Sequence, residues 1–353
     1  MDHKISAPER FAANPLFTGL QCGMNFGAGA ERGYYSRPDV LQQPELMKQL
    51  GVNLVVLDTT ICQENYYSRK MFLDFTRTPG EVELADIIKK FHAQGIRVIL
   101  RPNLISLDGI WKSRIFFRED HQIQEVNSTF QNEWIQSYFA CLNYYADFAE
   151  AQKVDALLLG STTFYLEIKD DPWINAIRAV RERYSGPISY ELFPDSFFHL
   201  LNWYKELDFL SVSFFPFMPQ ENAVTTEQMI AAFQPGVESI QKLSAQLGGK
   251  PILLTSTGAP SLRNHIHCPY SFSNGVYYDK DWRTYRYVPG TEADPAEQAQ
   301  YLDAMLRSFS KVPQWMGLCW WKWDETSPFS LAGKTAEKIY VDWAENATNK
   351  GDN

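Results

Sequence analysis

The chain has 353 residues, 45% hydrophobic and 21% charged, which is the composition of a globular protein long enough to bury a core without disulfides or a structural metal. Its formal net charge of −9 speaks against nucleic acid and against an anionic membrane surface, both of which need a basic face, and is compatible with a neutral ligand. The start MDHKISAPERFAANPLF has no apolar signal core, no stretch approaches a membrane span, and the widely spaced Cys22, Cys62, Cys141, Cys268 and Cys319 form no CxxC pair, so reduced thiols and a cytoplasmic location are expected.

Residues 1–15 read as an N-terminal extension. Short apolar runs then alternate with longer amphipathic ones. The runs are Leu20–Phe26, Asn53–Asp58, Arg97–Arg101, Ala156–Gly160, Ile188–Glu191, Phe209–Phe215, Pro251–Ser256 and Met316–Trp323, each expected as a buried parallel strand bounded by turn signals. Helices are expected at Glu81–Gln94, Glu133–Gln152, Trp173–Tyr184, Glu227–Leu247, Pro295–Ser310 and Lys334–Glu345. Asp294-Pro295 supplies a cap and a first-turn proline, and LGVN and QGIR put glycine just past a helix end. The stretch 258–292 is a long loop after the seventh strand, and its rings from Tyr270 to Tyr287 suggest an ordered wall; 346–353 reads as a disordered tail.

Eight strands alternating with helices fit a barrel or a doubly wound sheet. No GxGxxG or GxxxxGK[ST] phosphate loop is present. The expectation is one α/β domain over 1–353, a single (β/α)8 TIM barrel. With 10 Trp, 18 Tyr and 23 Phe, there are rings enough for a sugar site as well as for a core.

Barrel sites sit at the C-terminal strand ends. The first strand delivers Asn25 and Phe26 there. The second brings Asp58, with Glu64 and Tyr66 behind it, and the third Arg101 and Asn103, then Asp108 and Trp111. The fourth brings Ser161, Thr162 and Thr163, the fifth Tyr190 and Glu191, and the sixth Phe215. The seventh brings Thr255 and Ser256, the eighth Trp320, Trp321, Trp323 and Asp324.

The ordered segments LGVNLVVL, QGIRVILRPN, DGIWKSRI, EWIQSYFACLNYYADFA, DPWINAIRAVRERYSG, LDFLSVSFFPF, KPILLTSTG, the Gln298-containing helix and GLCWWKWD resemble glycoside hydrolase family 113 over nearly the whole chain. The resemblance implies an intracellular-type β-mannanase barrel of the retaining clan. It also implies an acid/base Glu in a Gly-Thr-Glu-like segment after the fourth strand and a nucleophile in a Thr-Glu-Ile-Gly-like segment after the seventh. This chain has Gly160-Ser161-Thr162-Thr163 and Thr255-Ser256-Thr257-Gly258, so Thr162 and Ser256 occupy those positions. The family's Lys-Pro-His after the third strand is here Arg101-Pro102-Asn103. Retaining hydrolysis needs two carboxyl groups about 5–5.5 Å apart, and hydroxyls do not replace them. The nearest acid, Glu167, is expected in a loop or helix beyond Thr162.

Possible substitutes are Glu191, Asp58 and Asp324, although acids there also pair with Arg101, Arg114 or Lys322, or hydrogen-bond sugar hydroxyls. Expected substrate-binding residues are Asn25, Arg101, Asn103, Trp111, Tyr190, Phe215, Trp321 and Trp323, with Tyr66 as an outer wall. Alternation puts Trp321 and Trp323 on one side and Trp320 on the other. His265, His267 and Cys268 lack further convincing ligands, so no metal and no cofactor are expected. Ser256 lies in no GxSxG elbow. The favoured function is carbohydrate binding, of a mannoside-like or related oligosaccharide, without the two-Glu mechanism. The alternatives are an active glycosidase or transglycosidase using Glu191 with Asp58 or Asp324, and a non-catalytic protein-interaction scaffold.

Overall fold

The computed structural model describes residues 8–117, 128–193, 200–218, 224–267, 276–279, 284–323 and 326–351. Eight parallel strands form at Gln21–Phe26, Leu54–Gln63, Arg97–Ser106, Ala156–Ser161, Ile188–Leu192, Leu210–Ser213, Ile252–Thr257 and Trp315–Trp320. In sheet order they run first, eighth, seventh, sixth, fifth, fourth, third, second, and the first also pairs with the second. The sheet therefore closes on itself as a (β/α)8 barrel, with every predicted strand in place. Barrel strands are covered on both faces, which is why each appears as a nearly unbroken apolar run.

The chain divides into two compact units. One comprises Met1–Phe26, Leu46–Val56 and Ser211–Asn353. Within it Trp320 and Tyr301 are fully buried, and Trp315 stacks on Trp343 with centroids 6.0 Å apart. The other comprises Gly27–Glu45 and Leu57–Leu210. The helix Glu81–Ala93 buries Leu84, Ile87, Ile88 and Phe91 there, a spacing that lines one helical face. Glu83 closes its N-terminus by accepting from Gly80 N at 2.6 Å, Gly33 N at 2.8 Å and Tyr35 N at 3.0 Å.

Several expected boundaries move. The second and third strands run on past Asp58 and Arg101, and the second pairs antiparallel with the short strand Met71–Phe72. The stretch after the seventh strand holds the turn His265–His267 and the antiparallel hairpin Val276–Asp279/Thr284–Tyr287. The last helix, Thr335–Gly351, reaches well into the stretch read as a tail. Of the described cysteines, Cys22, Cys62 and Cys319 are buried and Cys141 is half-buried. Among the described residues no helix is long and apolar enough to cross a membrane.

Candidate active site

The unit containing the third to fifth strands and most of the second carries a buried polar cluster drawn from these strands. Its centre is Arg101. The guanidinium donates from Nε to Asp58 Oδ1 at 2.6 Å and from Nη2 to Oδ2 at 3.2 Å, and from Nη1 to Glu191 Oε1 at 3.0 Å. All three side chains are buried. Burial pushes the Asp58 carboxyl up, and the charge and hydrogen bonds of Arg101 oppose that. Asp58 and Glu191, the proposed substitute acids, are thus both tied to one arginine.

Beside them lies Lys112, in the turn Lys112–Arg114 that follows the third strand. It is only 6% exposed. Its Nζ donates to Asn103 Oδ1 and to Ser161 Oγ, each at 2.5 Å. Desolvation lowers its pKa to about 8, against the pull of Glu191, Asp58 and Glu167. Sequence reasoning placed Asn103 and Ser161 at strand ends but missed the lysine that joins them. The available signal was a lysine directly after Trp111 in DGIWKSRI.

Thr162 is buried just past the fourth strand, in a left-handed backbone conformation with φ +59, uncommon for a residue other than glycine. Glu167 is buried, and Oε1 accepts from Tyr190 OH at 2.5 Å and from Thr163 N at 2.8 Å. Burial raises its pKa.

Tyr190, expected among the binding residues, packs inward. It is 1% exposed, its ring packs edge-on to Trp173 and Trp203, and its hydroxyl is held by Glu167 and Thr163. It braces Glu167. Trp111, by contrast, is 60% exposed with the Lys112 ammonium 5.8 Å from its ring centre. Tyr66 is also exposed, its backbone N–H held by Asp108 at 2.9 Å, and so is Glu64.

In the other unit, Asn25 is fully buried. Its amide donates to the carbonyls of Thr255 at 2.9 Å, Cys319 at 3.3 Å and Trp320 at 3.4 Å, so it fastens three strand ends together. Ser256 is buried in the seventh strand, with Oγ 3.5 Å from Asn25 Oδ1. Trp320 is the core member of its trio, donating from Nε1 to Phe329 O at 2.8 Å. Trp321 and Trp323 are half-buried, and Trp321 packs on Leu262 and Phe329. Phe215 is half-buried as well. His265 is buried, with Nδ1 2.7 Å from Leu262 O and 3.2 Å from Glu297 Oε1, a structural setting. Asp324, Cys268 and the His267 side chain lie outside the described residues.

A family model described as Glycoside Hydrolase Family 113 matches residues 24–341. The GH113 beta-mannanase AaManA from Alicyclobacillus acidocaldarius, solved in complex with ManMIm, superposes with a TM-score of 0.77 at 20% identity, over 94% of this chain and 99% of its own. A second GH113 beta-1,4-mannanase gives 0.75 at 20% identity, over 93% and 99%. A family 5 mannosidase from Rhizomucor miehei gives 0.60 at 11% identity, over 95% and 94%. At these identities the structural likeness is one of fold. No curated protein matches.

Proposed function

This chain belongs to glycoside hydrolase family 113, and from that premise we propose that it binds a mannoside-like oligosaccharide and lacks the two-glutamate hydrolytic mechanism. The observation that carries the reading is the pair of hydroxyls, Thr162 and Ser256, in the two strand-end segments where the family resemblance calls for carboxylates. A hydroxyl neither shuttles a proton near neutrality nor leaves readily from a glycosyl intermediate. The state of Asp58 and Glu191 supports the same reading. Both are bound to Arg101 in a buried cluster. Releasing either partner of such a pair costs about 3–5 kcal/mol, which makes them poor relocated catalysts.

Binding needs rings and hydrogen-bonding groups, and these are supplied. The exposed Trp111 and Tyr66 offer stacking faces in one unit, and Phe215, Trp321 and Trp323 are half-buried rings in the other. Arg101 and Asn103 are the polar readers proposed for sugar hydroxyls.

Titration calorimetry with β-1,4-linked manno-oligosaccharides tests this. Saturable binding is expected, weakened about ten-fold by Trp111→Ala, or roughly 1.4 kcal/mol, with no product from an aryl β-mannoside. Turnover abolished by Glu191→Gln would replace this reading with a relocated mechanism. Absence of any sugar binding would leave the scaffold reading.

A further inference from the structure

Lys112 is a buried ammonium whose hydrogen-bond partners, Asn103 and Ser161, are both neutral. Among the described residues it forms no ion pair, since Asp58 and Glu191 are taken by Arg101. Buried lysines are usually paired with a carboxylate. An amine without such a partner can lose its proton and leave no carboxylate stranded. Ser161 Oγ lies 2.5 Å from this amine, and Ser161 is 5% exposed. Ser161 also ends the fourth strand, and the chain turns sharply off the strand at Thr162, φ +59. A serine at a strand-to-turn junction, in contact with an unpaired buried lysine, is the arrangement of a nucleophile and its base.

We infer that Ser161 and Lys112 form a nucleophile–base dyad that removes small acyl groups, such as acetyl, from esterified sugar hydroxyls. The sugar part rests on the carbohydrate-binding reading, and the dyad does not. Ser161 Oγ attacks the ester carbonyl carbon while its proton passes to neutral Lys112 Nζ, and the carbonyl π pair moves onto oxygen. The tetrahedral adduct collapses, the C–O bond to the sugar breaks, and the sugar oxygen takes the proton from Lys112. Water then attacks the acyl-serine, with Lys112 again taking and returning a proton, and a carboxylic acid leaves. The Asn103 carbonyl oxygen fixes the amine, and its amide nitrogen, without a partner among the described residues, is at hand as a donor to the oxyanion. The low exposure of both dyad members suits a small acyl group.

Burial supplies the amine's basicity range: Lys112 titrates at about 8, with Glu191, Asp58 and Glu167 holding its proton on and Arg101 pushing it off. The test is labelling with an alkyl fluorophosphonate, in which Ser161 Oγ displaces fluoride from phosphorus, followed by peptide mass spectrometry. The expected result is an adduct on Ser161 that Ser161→Ala abolishes. Lys112→Arg keeps the charge and the donors but cannot act as a base, and it should slow labelling at least about a hundred-fold. The rate should rise with pH and level off above about 8. No adduct on Ser161, or equal labelling of Lys112→Arg, overturns the dyad. Labelling without acetate release from acetylated manno-oligosaccharides overturns the sugar-ester assignment. Calorimetry with the unacetylated sugar reports separately on the binding reading.

Discussion

Lys112 enters the fold against the preference of its own charge. Burial lowers it from its ordinary 10.5 to about 8, so the folded protein releases this proton more readily than the unfolded chain does. Below pH 8 both states carry the proton, and the penalty for burying the ammonium is present in full. Between about 8 and 10.5 the unfolded chain binds a proton that the folded protein does not, so this group increasingly favours folding as pH rises. The stability of the protein relative to Lys112→Met should therefore climb across that window, by about 3 kcal/mol in total. Urea unfolding of both proteins at several pH values measures it, and groups that do not interact with Lys112 cancel in the difference. A flat difference would mean a hydrated, ordinary lysine, and it would also remove the base from the Ser161 dyad.

The eighth strand shows how one element limits its residues. Gly317 has φ +134, and a Cβ there would stand 2.0 Å from the backbone oxygen of Gln21, its pairing partner on the first strand. A backbone oxygen in a strand pair cannot swing aside as a side chain would. Gly317→Ala should cost about 2–3 kcal/mol, read as a lower urea midpoint. Gly333→Ala, at φ +69 with nothing within 4 Å, carries the backbone cost alone, about 1 kcal/mol. All eight strands were legible because burial on both faces writes them as apolar runs, and the helix at Pro295 because its Asp294 cap, accepting from Glu297 N at 3.0 Å, is a local signal. The extensions of the second and third strands were hidden. They carry Thr59, Thr60 and Gln63, or Asn103, polar residues that sit in a strand only because the fold provides partners, as when Trp134 Nε1 donates to Gln63 Oε1 at 3.1 Å. The candidate site divides in the same way. The ends of the apolar runs follow from the pattern, so Asp58, Arg101 and Glu191 could be named. Whether Tyr190 faces a ligand or Glu167, and that Lys112 reaches Ser161, depends on tertiary packing that no spacing encodes.

For the molecule as a whole, the family match spans residues 24–341, and the proposed reading puts hydroxyls, Thr162 and Ser256, where that family's two carboxylates are expected. A (β/α)8 scaffold holds strand-end residues largely independently of one another, which is why chemistry can be lost from it without loss of the barrel. If only the two carboxyls are missing, the rest of the apparatus should still respond to their return. Thr162→Glu together with Ser256→Glu should then raise aryl β-mannoside hydrolysis at least about a hundred-fold over the unmodified protein, while each single change stays near background, because retaining chemistry needs an acid/base and a nucleophile acting on one bond. Ser256 is buried, so the double variant will lose some stability, and the assay belongs with a melting curve showing that it is folded. A folded double variant that binds manno-oligosaccharide yet gains nothing would mean that the surrounding residues, the Asp58–Arg101–Glu191 cluster foremost, have already been rebuilt for another task. Adding Ser161→Ala to the double variant separates the two chemistries. It should leave restored glycoside cleavage within a few-fold while abolishing fluorophosphonate labelling, since acyl transfer through Ser161 and glycosyl transfer through a glutamate share a ligand but no covalent intermediate.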